Sequence, residues 1–313
     1  MTTLNPYVHT FGQAMLARYG ERVHKLAIDA AFTCPNRDGS KGIGGCTFCN
    51  NQSFSPNSRQ PAVLEQQIAA GRRVIRKRTG ARKYLAYFQA YTNTYADVDD
   101  LRELYDRALA DKDVIGLSIG TRPDCVPGKV LDLLLEYQQG GYEIWLELGL
   151  QSSFDDTLER VNRGHDYQDY VTAVKAARNR GLQVCTHLIA GLPGETAWHV
   201  HTSLQRILEL GVEGLKIHPL HVVKGTRLAN QWRRQSYTPI DLDDYVQLVA
   251  DMVEHTPAGV IYHRLTGTAS ESILLAPSWC SKKWRVLNAI ADELKRRDSY
   301  QGKAFGERLN GCG

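Results

Sequence analysis

Cys34-Pro-Asn-Arg-Asp-Gly-Ser-Lys-Gly-Ile-Gly-Gly-Cys46-Thr-Phe-Cys49 holds three of the chain's seven cysteines within sixteen residues. Eleven residues separate the first two and two separate the last pair. Thiolates are soft ligands, and three on one flexible loop can close around a metal centre. Gly39, Gly42, Gly44 and Gly45 let the backbone turn sharply and bring amides close to sulfur. No fourth cysteine stands at ligand spacing. A structural zinc site wants four closed ligands, whereas a four-iron cluster on three cysteines leaves one iron open for a substrate or cofactor. A zinc loop completed by a distant histidine also fits this stretch. A disulfide plus one free thiol fits less well, because nothing in the chain suggests secretion.

The 313 residues suffice for one large α/β unit, or a large and a small one. With 42% hydrophobic residues a sizeable core can be buried. A net charge of +4 permits contact with nucleic acid without requiring it. Met1 to Tyr19 is polar and amphipathic, without the apolar run of a signal peptide, and no stretch reaches membrane-spanning length. The expected setting is a reducing cytoplasm.

Short apolar runs recur about every thirty residues: 23–30, 83–91, 114–121, 143–150, 183–189 and 214–219. They are rich in branched and aromatic residues and bounded by glycine or proline, the pattern of buried parallel strands. Between them 98–109, 129–137, 167–180 and 199–210 repeat with helical period, and Gly181 and Gly211 stand at expected helix ends. Six strand–helix alternations predict a parallel sheet, open or curled into a barrel. Chemistry in such folds gathers at the C-terminal ends of the strands. Here those ends carry the cysteine loop, then Gln89, Tyr91, Thr92 and Asn93, then Thr121, Arg122 and Asp124, Gln151 and Ser152, Thr186 and His187, and His218 and His221. Polar strand ends are common in any α/β fold; the cysteines directly after the first strand set this rim apart. The repeat is expected to stop near Lys224. Residues 1–224 then form the barrel, and 225–313 a smaller extension with a helix at 241–254, an apolar run at 260–265 and a last helix at 282–297.

These motifs together resemble the radical S-adenosylmethionine (radical SAM) superfamily. LELGLQSSFDDTLERVNRGHD at 146–166 and GLKIHPLHVVKGTRL at 214–228 are similar to segments of the Elongator catalytic subunit, and HLIAGLPGET at 187–196 recurs in radical SAM proteins. The pattern from Tyr19 to about Trp284 is most similar to the YhcC/YtqA group, which lacks Elongator's acetyltransferase domain. The resemblance implies an α/β fold, a partial (β/α)6 barrel with a small C-terminal α/β extension. It also implies a [4Fe-4S] cluster on Cys34, Cys46 and Cys49 whose open iron binds SAM. Reductive cleavage of SAM would give a 5′-deoxyadenosyl radical that abstracts hydrogen from an unactivated carbon. The electron would come from a donor such as flavodoxin or ferredoxin.

Position by position, the resemblance puts the backbone of Phe48 against the SAM adenine, with plain packing as the alternative. Tyr91, Thr92 and Asn93 stand where the family often has a glycine-rich segment receiving the SAM amino group. Gln151 and Arg163 match a glutamine and an arginine near the cofactor in coproporphyrinogen-oxidising relatives, and an arginine fork suits a carboxylate. His187 replaces an aspartate of those relatives. Gly120 replaces a glutamate, which makes Glu147 a candidate for a ribose contact; its rival role is a buried ion pair. Cys280 is the candidate hydrogen-atom donor, ahead of Cys125, although most lone cysteines are small core residues. Cys185 reads as core and Cys312 as a terminal residue. His263 and Arg264 are candidate substrate contacts.

Seven basic residues and no acid fall between Arg72 and Lys83. Lys282, Lys283, Arg285, Lys295, Arg296 and Arg297 form a second group. Each alone reads as a solvated helix end. Two of them on a chain resembling Elongator point to RNA. The expected reaction is radical chemistry on a C5 side chain of uridine 34 in tRNA. A radical SAM enzyme on a small metabolite or peptide, and a non-enzymatic zinc- and RNA-binding protein, are the alternatives.

Overall fold

Apolar side chains on both faces of successive strands leave water no place beside them, and the sheet is covered accordingly. The computed structural model describes residues 4–50 and 63–306. Six strands arise at the expected places: β1 (Val23–Ile28), β2 (Lys83–Phe88), β3 (Val114–Thr121), β4 (Glu143–Gln151), β5 (Gln183–Ala190) and β6 (Gly214–Pro219). The first two are shorter than expected. Beyond β1, Ala31 takes a positive φ of 58°; beyond β2, Ala90 and Tyr91 do so at 74° and 59°. Such left-handed residues end an extended run.

The helices α1 (Phe11–Tyr19), α2 (Leu64–Thr79), α3 (Val98–Leu109), α4 (Gly128–Gln139), α5 (Asp155–Arg160), α6 (Tyr167–Arg178) and α7 (Ala197–Glu209) alternate with these strands. Thr10 and Asp166 close capping boxes on α1 and α6, which satisfies amides that the first turn leaves free. Leu146, Leu148 and Leu150 of β4 belong to the main core, together with Leu131 and Leu134 of α4 and Tyr170 and Val174 of α6.

The segment after Lys224 does more than pack on the barrel. Following the two-residue β7 (Val222–Val223), α8 (Arg227–Arg233) and α9 (Leu242–Glu254), it supplies β8 (Ile261–Arg264), which pairs in parallel with β6. The sheet therefore has seven strands in the order β1-β2-β3-β4-β5-β6-β8. β9 (Leu274–Ala276) pairs with β7, and α10 (Lys283–Arg296) packs against α9.

Curling shows in what the edges share. Lys25 of β1 and His263 of β8, on opposite edge strands, meet at 2.8 Å. Helix α1 contacts both edges, and the Tyr262 amide donates to the His9 carbonyl. Side chains of a strand alternate faces, so the inner face of β4 reads Trp145, Glu147, Gly149 from bottom to top. Trp145 joins Phe11, Met15 and Cys185 in an apolar plug. Glu147 forms a charged layer, and Gly149 lines an open cavity.

Candidate active site

The charged layer is built around one carboxylate. Glu147 is fully buried. Lys25 Nζ and Ser118 Oγ each donate to its Oε1 at 2.5 Å. Lys216 Nζ donates to Oε2, and His187 Nε2 contacts Oε2 at 2.8 Å. A buried carboxylate ionises only if it is compensated. Burial works against the charged form here, yet Lys216 and Lys25 hold the Glu147 carboxyl well below its usual range. Burial pushes His187 down to about 4, with Lys216 adding to it, and drives His263 well below its ordinary value. Both rings are neutral at pH 7. The ammonium of Lys216 also lies 4.2 Å from the Tyr87 ring centroid, and that of Lys25 lies 4.5 Å from that of Phe11.

Above this layer a cavity encloses about 1150 Å³, open solvent at its mouth included. Cys34, Cys46, Phe48 and Cys49 form one side of it. The loop that carries them is clamped from two directions. Asn162 Nδ2 and Arg227 Nη2 both donate to the Gly45 carbonyl, at 2.8 and 2.7 Å. The Thr47 amide donates to the Val161 carbonyl, and the Leu228 amide to that of Thr47. Gly45 has φ of 72°, and a Cβ there would press on the Arg37 side chain at 3.0 Å, so glycine is favoured. The three thiols are reduced. Among the described residues, only Glu147, Cys185 and His187 place three potential ligand atoms within 4.8 Å of one another. The three loop thiols are thus not already gathered about the position of a single zinc ion, whose Zn–S bonds of about 2.3 Å would bring them closer. The Glu147–Cys185–His187 trio is no cation site, because two ammonium groups already occupy its carboxylate.

Arg163 reaches into the cavity beside the loop. Its Nη2 donates to the Gly149 carbonyl at 2.6 Å and its Nη1 lies 3.6 Å from Cys46 Sγ. Its Nε and the Thr92 hydroxyl are buried without a hydrogen-bond partner among the described residues. Behind it, Arg122 is saturated: it pairs with Asp124 and donates to the Arg163 and Gly164 carbonyls. Gln151, with φ of 80°, sits at a bulge of β4 and lines the same cavity. Bulges re-aim side chains beside such sites.

The other expected residues divide. Phe48, Tyr91, Thr92, Gln151, Arg163 and His187 all face the cavity. Tyr91 and Ala90 adopt the backbone conformation that glycines favour, with other side chains. Asn93 does not line the cavity. Its amide ties the Ala90 carbonyl to that of Gly120, a role in shaping the turn. Glu147 faces the cavity but is already engaged by its ion pairs. Cys280 is a correction: it is fully buried in the main core beside Trp279 and away from the cavity, and burial pushes its thiol up. Cys185 lies in the apolar plug as expected, and Cys312 falls outside the described residues. Reading the sequence for rim residues missed Lys25, Lys216 and Tyr87. The signal was present in VHKLAI and GLKIHP, where a lone lysine interrupts a buried strand and must find a partner.

The basic groups are thinned by pairing. Arg72 pairs with Asp111 and Asp113, Lys83 with Glu21, Arg296 with Glu293, and Arg297 with Asp251. Of the exposed cations, Arg78 of α2, Lys283 of α10 and Arg22 act on His24 and, after burial, lower its pKa.

Residues 34–207 match the family model of the radical SAM superfamily, and residues 212–296 match that of the radical SAM C-terminal domain. Protein YhcC of Escherichia coli K12 is 47% identical over 97% of each chain. A tRNA uridine(34) acetyltransferase of Methanocaldococcus jannaschii is 29% identical over 45% of this chain and 26% of its own. Among solved structures, the archaeal Methanocaldococcus infernus Elp3 superposes with a TM-score of 0.67 at 18% identity, covering 89% of this chain and 64% of that one; this likeness concerns the fold. No helix among the described residues is long and apolar enough to cross a membrane.

Proposed function

Since the chain belongs to the radical SAM superfamily, whose enzymes bind a [4Fe-4S] cluster and S-adenosylmethionine, we propose that it modifies the C5 side chain of the wobble uridine of tRNA. Cys34, Cys46 and Cys49 are the proposed cluster ligands. The observation that carries this is their convergence on one cavity with Arg163, Gln151 and the Thr92 hydroxyl, which has no partner among the described residues. When bound, the cluster and SAM supply a radical able to take hydrogen from an unactivated carbon. The chain's own residues bind and enclose. Arg163 offers a guanidinium beside Cys46, suited to the carboxylate of SAM. Phe48 and Ile189 give the cavity apolar surface. The charged layer closes the floor against water from below. The carbon attacked would be one next to the amine or carboxylate of the uridine substituent.

Two findings support RNA as the substrate. One is the likeness to an enzyme named for uridine 34 of tRNA. The other is that Arg22, Arg78 and Lys283 are exposed and all act on His24, cations that a phosphate backbone would neutralise. A small reductant such as flavodoxin or ferredoxin would supply the electron, in a reducing cytoplasm. The test compares tRNA nucleosides by mass spectrometry in cells with and without the gene, and with Cys46→Ala. Loss of one wobble nucleoside and gain of its precursor in both strains is expected. Identical profiles would remove tRNA as substrate. Anaerobically reconstituted Cys46→Ala protein should hold little iron and form no 5′-deoxyadenosine.

A further inference from the structure

Arg264 differs from the other cations buried around the cavity; Arg37, which lines it too and has no carboxylate partner among the described residues, is exposed. Lys25 and Lys216 are paired with Glu147, Arg122 is paired with Asp124, and Arg163 is held by the Gly149 carbonyl. Arg264 is half-buried in the cavity wall and has no carboxylate partner among the described residues. Its orientation is built in. The pairing of β6 with β8 shifts by one residue, so that Leu215 faces Tyr262 while Lys216 faces Arg264. His263 is the extra residue of this bulge, and it turns into the apolar plug, 4.3 Å from the Trp145 ring centroid. The bulge thereby lets consecutive residues, His263 and Arg264, both serve the barrel interior. The loop beyond holds the neighbouring wall, for a Cβ on Gly267 would overlap His218.

No described residue gives Arg264 a carboxylate at ion-pair distance. His187 and His218 are neutral, because burial lowers both. Glu147 is already engaged by Lys25 and Lys216 and is not free to pair with Arg264. A half-buried guanidinium in such a place calls for an oxyanion, and its planar fork fits a carboxylate through two bonds. The guanidinium that reaches the loop thiols is that of Arg163, 3.6 Å from Cys46 Sγ, whereas Arg264 stands on β8 opposite Lys216.

We propose that Arg264 binds a carboxylate carried by the substrate's reacting side chain and so selects carboxylate-bearing substrates. This rests on the reading of the substrate as a wobble uridine with a C5 substituent. The test uses three anticodon stem-loop RNAs that differ only in that substituent: one ends in a carboxylate, one in its methyl ester, and one has hydrogen at C5. Binding to the full-length, anaerobically reconstituted protein is measured with SAM present, and SAM affinity is measured separately. Wild-type protein is expected to bind the carboxylate RNA at least about 10-fold more tightly than the ester, the size of a hydrogen bond to a charged group. Arg264→Gln should erase that preference, and Arg264→Lys, which keeps the charge but loses the fork, should retain only part of it.

A preference that survives in Arg264→Gln overturns the proposal. Equal weakening of all three RNAs in that variant would make the ligand a backbone phosphate, and a matching loss of SAM affinity would make it the carboxylate of SAM; either result overturns it. If wild-type protein binds all three RNAs alike, only this inference falls. If it binds none, the tRNA reading falls with it. Thermal melting of both variants is followed in parallel, and Arg264→Lys decides the matter if Arg264→Gln does not fold.

Discussion

The floor and the wall of the cavity are both charged, yet they are satisfied in opposite ways. In the floor, the Glu147 carboxylate engages Lys25, Lys216, Ser118 and His187. In the wall, among the described residues, Arg264 has no acid and Arg163 Nε and Thr92 Oγ1 have no partner, and Ala90 and Tyr91 hold left-handed backbone. A folded chain tolerates unsatisfied or strained groups where something else completes them. The floor is therefore scaffold and the wall is receptor, though their residues are neighbours on the same strands. Lys216 and Arg264 sit opposite each other across one strand pair and fall on different sides of this division.

The largest test of the contrast is to remove one charge from each side. Glu147→Gln keeps the side chain's shape but leaves two buried ammonium groups facing a neutral amide. Breaking a buried ion pair from one side costs about 3–5 kcal/mol. Arg264→Gln removes a charge that has no carboxylate partner among the described residues, so its cost should stay within about 0.5 kcal/mol. Denaturant unfolding of the two variants measures both. A loss below about 1 kcal/mol for Glu147→Gln would show that the floor does not depend on this carboxylate. Adding Lys216→Met to Glu147→Gln should recover part of the loss, because the two sites are in contact and their effects do not add.

Acid should separate the two regions next. The folded protein holds His187 at about 4, whereas an unfolded histidine titrates near 6.5. Between these values the unfolded chain takes up a proton that the folded chain refuses. Stability therefore falls as pH drops from about 6.5 toward 4. His218 and His263, pushed well below their ordinary values by burial, act in the same direction. Glu147 adds to the loss once the pH falls through the range of an unfolded glutamate, because its own folded value lies lower. Each such group contributes at most about 1.4 kcal/mol per pH unit. Melting temperatures between pH 7 and 4.5 should fall, and His187→Asn should shallow the slope by about one proton's worth. An unchanged slope in that variant would place the histidine outside the acid response.

The scaffold was far more legible in the sequence than the receptor. Strand–helix alternation placed all six repeat strands, since burial on both faces leaves a continuous apolar run that any reader can find. The cysteine loop was legible because three thiols at this spacing have few other uses. The run at 260–265 was legible as an extension strand, but not as the seventh strand of the barrel sheet. IYHR is four residues long, half-buried and half-polar, and only its pairing with β6 shows that the barrel continues through it. Cys280 misled because aromatic neighbours suit a core as well as they suit a site. Arg264 could be named but not weighed: what singles it out is the missing acid, and the one-residue shift that aims it arises from pairing between strands more than forty residues apart.

The smallest effect tests whether the wall carries strain. Ala90 has φ of 74°, a conformation that costs a residue with a Cβ about 1–2 kcal/mol. Ala90→Gly removes that cost but gives the unfolded chain more freedom, worth about 0.5–1 kcal/mol in the opposite direction. The net expectation is a gain of about 0.5 kcal/mol, read as a slightly higher denaturation midpoint. Relief at Ala90 should come without change in the floor, so Ala90→Gly and Glu147→Gln should add when combined. A destabilised Ala90→Gly would mean that the turn after β2 is held by the alanine methyl. The left-handed pair would then belong with the scaffold, and the wall would be defined by Arg264, Arg163 and Thr92 alone.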